Sequence, residues 1–275
     1  MPRDFNSTWA RDPRSSAELV ELVLAAPDRD AVWNEVSLLH FRGSQTEFEL
    51  SRELAKSPDP KRRELGADIL GQLGWDDRTF LEESVGVLIE LLHDRDPHVI
   101  ESAASSLGAR NHPRAIPHLL DLVQHPLAFV RLAVVHGLSR HDNMSAIGAL
   151  IALAEDADRD VRDWATFGLA SMTGIDTPEI RAALMSRTAE EDAEIRGEAL
   201  VGLARRKDPR VLDLVKLELQ RPFEGNWAVE AAEELADASL LPFLQQGLDV
   251  LDADVPERFV DDFMSAMEAC RPKDE

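Results

Sequence analysis

The stretch Asp158-Arg159-Asp160-Val161-Arg162-Asp163-Trp164-Ala165-Thr166-Phe167-Gly168-Leu169 decides the fold. Its skeleton is an acid, a β-branched residue three later, a small residue four after that and a leucine four further on. The same spacing returns at Val99, Ala103 and Leu107, at Val130, Val134 and Leu138, and at Ile195, Ala199 and Leu203. Leu65, Ile69 and Leu73 fit on one side, and Trp227, Ala231 and Leu235 on the other. The anchoring residues Leu73, Leu107, Leu138, Leu169, Leu203 and Leu235 are separated by 34, 31, 31, 34 and 32 residues. Steps of four place these positions on one face of a helix. One unit alone cannot bury such a face, so recurrence at this period predicts a stacked array.

Each repeat reads as a leading helix, a short turn and a second helix. Second helices are expected near Thr79–His93, Pro113–Gln124, Asn143–Glu155, Pro178–Arg187, Pro209–Gln220 and Ser239–Asp249. Pro113, Pro178 and Pro209 suit a first helical position, where a missing N–H costs nothing. Before the array, Ser15 or Ser16 can cap a helix ending at Ala25, and Val32, Val36 and Leu39 form a degenerate leading helix. The expected organisation is a polar tail over 1–14, touching the body through Phe5 or Trp9, then a first repeat and cap over 15–59. The array follows over 60–249, with a capping helix and tail over 250–275. No window alternates with period two, so the class is all-α: about seven helix pairs with end caps.

Two columns emerge from the alignment. Asp96, Asp158 and Asp192 stand where a carboxylate caps the first-turn N–H groups and meets the positive end of the helix dipole. Arg131, Arg162 and Arg196 follow the β-branched position, each poised to pair with an Asp of the neighbouring turn. The repeats at Leu65–Leu73 and Trp227–Leu235 lack this arginine. Gly137, Gly168 and Gly202, one before the anchoring leucine, let adjacent helices approach.

The net charge is −22, with residues 156–204 contributing −6 and 205–275 a further −8. Such a chain repels phosphate backbones, so no nucleic-acid partner is expected. The single cysteine, Cys270, excludes an intrachain disulfide, and neither a signal peptide nor a membrane-length apolar run is present. A cytoplasmic protein with no membrane association is the expectation.

The repeat residues Asp158, Val161, Arg162, Ala165 and Leu169, with Asp192, Ile195, Arg196, Ala199 and Leu203, resemble the HEAT-repeat family. The resemblance is to the short type found in phycobilisome-lyase-like proteins. It implies a right-handed α–α superhelix whose second helices line a concave inner face. Outward residues there become candidate partner contacts: Glu82, Glu83, Glu90, Arg114, His118, Asp121, Lys216, Gln245, Gln246 and Asp249.

Catalytic signatures of related folds are missing from the sequence. HEAT-type deoxyhypusine hydroxylases carry His-Glu pairs that hold two irons. Here Phe41, Asp94, Val99, Pro113, Leu119, Pro126, Gly137 and Asp142 follow the histidines. HEAT-like DNA glycosylases need a basic, aromatic-lined groove. Trp164 and Phe167 beside Arg162 and Asp163 come nearest, but Trp164 falls on or beside the buried stripe as a wedge between repeats. Seven of eight histidines lie between His93 and His141 and read as exposed turn residues, without metal-ligand spacing. No catalytic residue, cofactor or metal is expected, and little aromatic content speaks against an enclosed pocket.

The function expected is therefore a non-catalytic scaffold that binds a protein or peptide, preferably basic, on its concave face. One alternative is an inhibitor or immunity-type protein that neutralises a basic toxin or nuclease, which asks for acids concentrated on that face. Another, from resemblance alone, is a lyase-like cofactor handler. The sequence leaves the oligomeric state open.

Overall fold

The computed structural model describes residues 12–27, 30–74, 78–222, 225–251 and 256–272. The expected contacts of Phe5 and Trp9 lie outside the described residues. Among those described there are sixteen α-helices and no strand. The chain divides into two compact units, Met1–His141 and Asp142–Glu275.

The first unit holds α1 (Ser16–Ala25), α2 (Trp33–Arg42), α3 (Gln45–Leu54), α4 (Pro60–Gln72), α5 (Leu81–Leu91), α6 (Pro97–Arg110), α7 (Ile116–Leu120) and α8 (Ala128–Leu138). Its leading helices α2, α4, α6 and α8 pack in succession, and α3, α5 and α7 each pack on the leading helix that follows. The second unit repeats this plan. It holds α9 (Met144–Leu153), α10 (Arg159–Ser171), α11 (Pro178–Arg187), α12 (Ala193–Arg205), α13 (Leu212–Glu218), α14 (Trp227–Leu235), α15 (Leu241–Asp249) and α16 (Glu257–Ala269). Here the leading helices are α10, α12, α14 and α16. The C-terminal helix α16 therefore continues the leading column, packing on both α14 and α15. In chain order there are seven leader–follower pairs between α1 and α16.

The repeat stripe is the core. Val99, Ala103, Leu107, Val130, Val134, Leu138, Val161, Ala165, Leu169, Ile195, Ala199 and Leu203 are all fully buried. Helix starts follow local chemistry: Asp96, Asp158 and Asp192 accept from first-turn N–H groups at 3.0–3.3 Å. Ser15 with Glu18 and Ser44 with Glu47 form reciprocal capping boxes. Pro178 takes the first position of α11, whereas Pro113 and Pro209 open short 3-10 turns ahead of α7 and α13. Helix α7 stops at Leu120, four residues before the expected end. There the backbone tightens to i→i−3 bonds, with Leu122 N–H donating to Leu119 O at 3.0 Å.

The arginine column is real and differs in two respects from its sequence reading. Each guanidinium takes the carbonyls five and six residues before it: Arg162 those of Asp156 (2.9 Å) and Ala157 (3.1 Å), Arg196 those of Glu190 (2.8 Å) and Glu191 (3.0 Å), and Arg131 that of His125 (2.8 Å). The carboxylate partners of Arg162 and Arg196 are glutamates rather than aspartates: Glu190 for Arg162 at 3.5 Å and Glu218 for Arg196 at 2.8 Å. The repeat at Leu65–Leu73 does carry the arginine. It is Arg63, four residues after the N-cap Asp59, bound to the Ser57 carbonyl and bidentate to Asp94 at 2.7 and 2.8 Å. A cap-based register, one that the apolar spacing of Leu65 and Ile69 obscures, finds it.

A second set of arginines holds successive leading helices together. Arg110 donates to Leu70 O (2.6 Å) and Leu73 O (3.0 Å), covering the C-terminal carbonyls of α4. Arg206 does the same for α10 through Leu169 O (2.8 Å) and Ala170 O (3.2 Å). These carbonyls carry the negative end of the helix dipole, which is why a buried guanidinium is tolerated there.

Candidate functional site

The expected contact residues fall on separate second helices and on the turns beside them. In the first unit, Glu82 Oε2 accepts from Arg114 Nη1 at 2.9 Å, and Glu82 Oε1 lies 2.9 Å from His112 Nε2. Glu82 and Arg114 thus clasp consecutive repeats, and the Arg114 bond holds the Glu82 carboxyl below its ordinary range. Glu83, Glu90 and Asp121 are exposed, and the His118 ring meets the edge of His93 at 6.1 Å. In the second unit, Lys216 pairs with Asp213 at 3.2 Å and Gln245 Nε2 donates to Asp249 Oδ1 at 2.8 Å, while Gln246 is exposed. Of the ten, the structure brings together Glu82 with Arg114 and Gln245 with Asp249. The others stand apart.

Histidine and tryptophan positions correct two expectations. His141 is buried, and so, outside the expected segment, is His40, whose Nε2 lies 3.0 Å from Asp68 O. Burial, with Arg110 nearby, pushes the His40 imidazole down to about 4. Trp164 is not a wedge. It is 42% exposed, its ring edge-to-face with Phe167 at 5.7 Å. It sits one position after Asp163 and so turns outward from the stripe of Val161 and Ala165.

The concentrated chemistry lies on the leading helices of the second unit. Trp164 on α10, Glu198 on α12, Glu230 on α14 and Asp262 on α16 occupy one register position, separated by 34, 32 and 32 residues. Glu198 Oε1 accepts from Trp227 Nε1 at 3.1 Å. Glu230 accepts from Arg205 at 2.5 Å, and Asp262 accepts from Asn226 Nδ2 at 2.6 Å. Glu230 and Asp262 also line one depression with Asn226, Glu233 and Glu234. Beside this row, Asp163 is 8% exposed. Its Oδ2 reaches Arg159 at 3.3 Å, and its Oδ1 has no hydrogen-bond partner. Arg159 is shared with Asp192 (2.9 Å), Glu194 (2.6 Å) and Asp160 (3.2 Å), one guanidinium among four carboxylates.

This surplus shifts protonation. Burial raises the Asp163 carboxyl to about 6, with Glu194, Asp192 and Asp160 adding to the rise against Arg159. Burial likewise raises Glu198 to about 7, helped by Glu230 and Asp163 and opposed by the Trp227 bond. One helix at a time, the acids of this row look like any solvated helix face. The signal was present: Glu198, Glu230 and Asp262 recur at the repeat period.

The second unit also contains an open pocket of about 440 Å³. Trp227 and Phe263 supply its aromatic walls, with Leu219, Val229 and Gly197 around them. Gly197 leaves the room: a Cβ there would lie 2.5 Å from Trp227 Cβ. Among the described residues, no three His, Cys, Asp or Glu side chains are placed to share a metal ion. Among the described residues, too, no helix is long and apolar enough to cross a membrane.

The sequence pattern of the HEAT repeats matches residues 49–139 and 147–222, more than half of the chain. The chain belongs to the HEAT-repeat family, and each unit is a stack of the α-solenoid kind. Protein YibA of Escherichia coli (strain K12) is 32% identical over 216 residues, 75% of this chain and 76% of YibA. The X-ray structure of Escherichia coli YibA has a TM-score of 0.71 at 28% identity, covering 94% of this chain and 92% of that one. The CpcE–CpcF complex of phycocyanin lyase from Nostoc sp. PCC7120 has a TM-score of 0.50 at 18% identity, over 95% of this chain and 97% of that one, a likeness of fold. Repeat stacks of this family fit a protein-binding role, because stacking leaves extended faces free.

Proposed function

We propose that this protein is a non-catalytic scaffold that binds a basic protein or peptide. The observation that carries this reading is the surplus of carboxylates over guanidinium groups on a rigid repeat frame, with Arg205 serving both Glu230 and Glu234. Helix α14 presents Glu230, Glu233 and Glu234 with no basic residue of its own, and Arg159 is divided among four acids. Such a face attracts cations over several ångströms and raises the rate of encounter with a basic partner.

The test is affinity capture on the immobilised chain, followed by salt elution and identification of the eluted proteins. Basic proteins released by moderate salt support the reading; an eluate no more basic than the input contradicts it.

A second reading, an inhibitor that covers the working face of a basic enzyme, draws on the same chemistry. It asks for acids on the second helices; α5 carries three, Glu82, Glu83 and Glu90, but α9 has no charged residue and α15 has one acid, Asp249. The acid row on the leading helices meets the requirement in another place. Loss of the captured partner's activity on binding would favour inhibition; unchanged activity would favour a scaffold.

A further inference from the structure

The row Trp164–Glu198–Glu230–Asp262 differs from an ordinary acidic surface in three ways. First, it is periodic, with one side chain per leading helix at the same register position. Second, it is anchored to the core of the unit: Glu198 is held by Trp227, and Asp163 beside it is buried with one carboxylate oxygen unpartnered. A buried acceptor without a donor is costly, and a positive charge brought close to it would offset that cost. Third, the cations that face the row are already committed. Arg159 is bonded to Asp192, Glu194, Asp160 and Asp163, and Arg205 to Glu230, Ser171 and Glu234.

We propose that this row is the docking strip for an extended basic segment of the partner, with an arginine or lysine at every third residue. The proposal rests on the reading that the partner is basic, and it assigns the contact to the leading helices of the second unit. The spacing follows from geometry. Packed helices lie roughly 8–10 Å apart, and a polyproline II chain, with three residues per turn, advances about 3.1 Å per residue and returns every third side chain to the same face. Three residues of partner therefore span one step of the row. An arginine over the Trp164–Glu198 rung would donate to the Glu198 carboxylate, and its planar head could stack on the exposed Trp164 ring while its charge offsets the unpartnered Asp163 oxygen beside them. The next basic residues would meet Glu230 and then Asp262. A lone cation has no reason to prefer such spacing. A polypeptide does.

The test uses the full chain and two fluorescein-labelled peptides, measured by anisotropy at pH 8. One peptide carries four arginines separated by Ser-Gly pairs, and the other has the same residues with the arginines contiguous. Wild type should bind the spaced peptide several-fold more tightly than the contiguous one. Asp163→Asn combined with Glu198→Gln should weaken the spaced peptide by roughly tenfold, the scale of one lost charge pair. Glu83→Gln combined with Asp249→Asn removes equal charge from the second helices and should leave affinity within about twofold. Both pairs are close to isosteric, and thermal melting confirms that the variants are folded. Equal losses in the two double variants, loss only in the second, or equal affinity for the two peptides would each overturn the docking strip while leaving a basic partner in place. Failure of wild type to bind either peptide would overturn both.

Discussion

Val161 has no exposed surface and sits between the capped start of α10 and the buried Ala165 and Leu169. Val161→Asp would place a carboxylate there without a partner. It should cost about 3–5 kcal/mol, read as a lower denaturant midpoint; an unchanged midpoint would deny the buried stripe. Protonation offers a second test. The His40 imidazole is depressed from 6.5 to about 4, so the folded state resists a proton that the unfolded state accepts. Its stability contribution is complete above pH 6.5 and is lost as pH falls toward 4, by about 3 kcal/mol in total. His40→Gln should remove that part of the acid sensitivity; an unaltered acid limb would contradict it. Glu198 works in the opposite direction. Its carboxyl is raised from 4.5 to about 7, so its contribution is present below pH 4.5 and lost as pH rises through 7. Glu198→Gln should be more stable than wild type at pH 8 and equal to it below pH 4.5, by urea titration at each pH. At this scale the sequence made the caps Asp158 and Asp192 legible, because capping is local. It did not reveal the Arg196–Glu218 pair, whose members are joined only by the packing of α12 and α13.

Among the helices, α6 and α8 approach closely because Gly108 has no side chain. A Cβ there would lie 2.5 Å from His136 O and 3.1 Å from Gly137 Cα, both backbone atoms that cannot step aside. Gly108→Ala should destabilise by about 1–3 kcal/mol through overpacking, whereas Gly148→Ala on α9, with open space at its Cβ, should be neutral or slightly stabilising. Thermal melts of the two variants check the contrast, and equal effects would contradict it. The leading helices could be read from the chain because their apolar steps repeat strictly. The second helices could be located but not bounded. Helices α7 and α13 are shortened by 3-10 turns at Pro113 and Pro209, a choice made by backbone geometry that apolar spacing does not encode. The tryptophan of α10 shows the same limit: adjacent residues on a helix point about 100° apart, so Trp164 and Ala165 have opposite fates from neighbouring positions.

Over the whole molecule, the −22 net charge is unevenly used. The first unit carries 6 of the excess negative charges and the second 16, although both contain ion pairs such as Arg63–Asp94 and Arg196–Glu218. In the second unit the acids accumulate in register along the leading helices. Reading the chain one segment at a time reveals the amount of charge but not its alignment, since alignment exists only once the repeats are stacked. The most direct measurement is the affinity of the full chain for a basic partner, or for the spaced arginine peptide, as salt rises from about 0.05 M to about 0.5 M. We expect affinity to fall steeply and continuously, as for a contact built from several exposed charge pairs. Affinity that stays flat across that range would contradict a charge-directed binding surface.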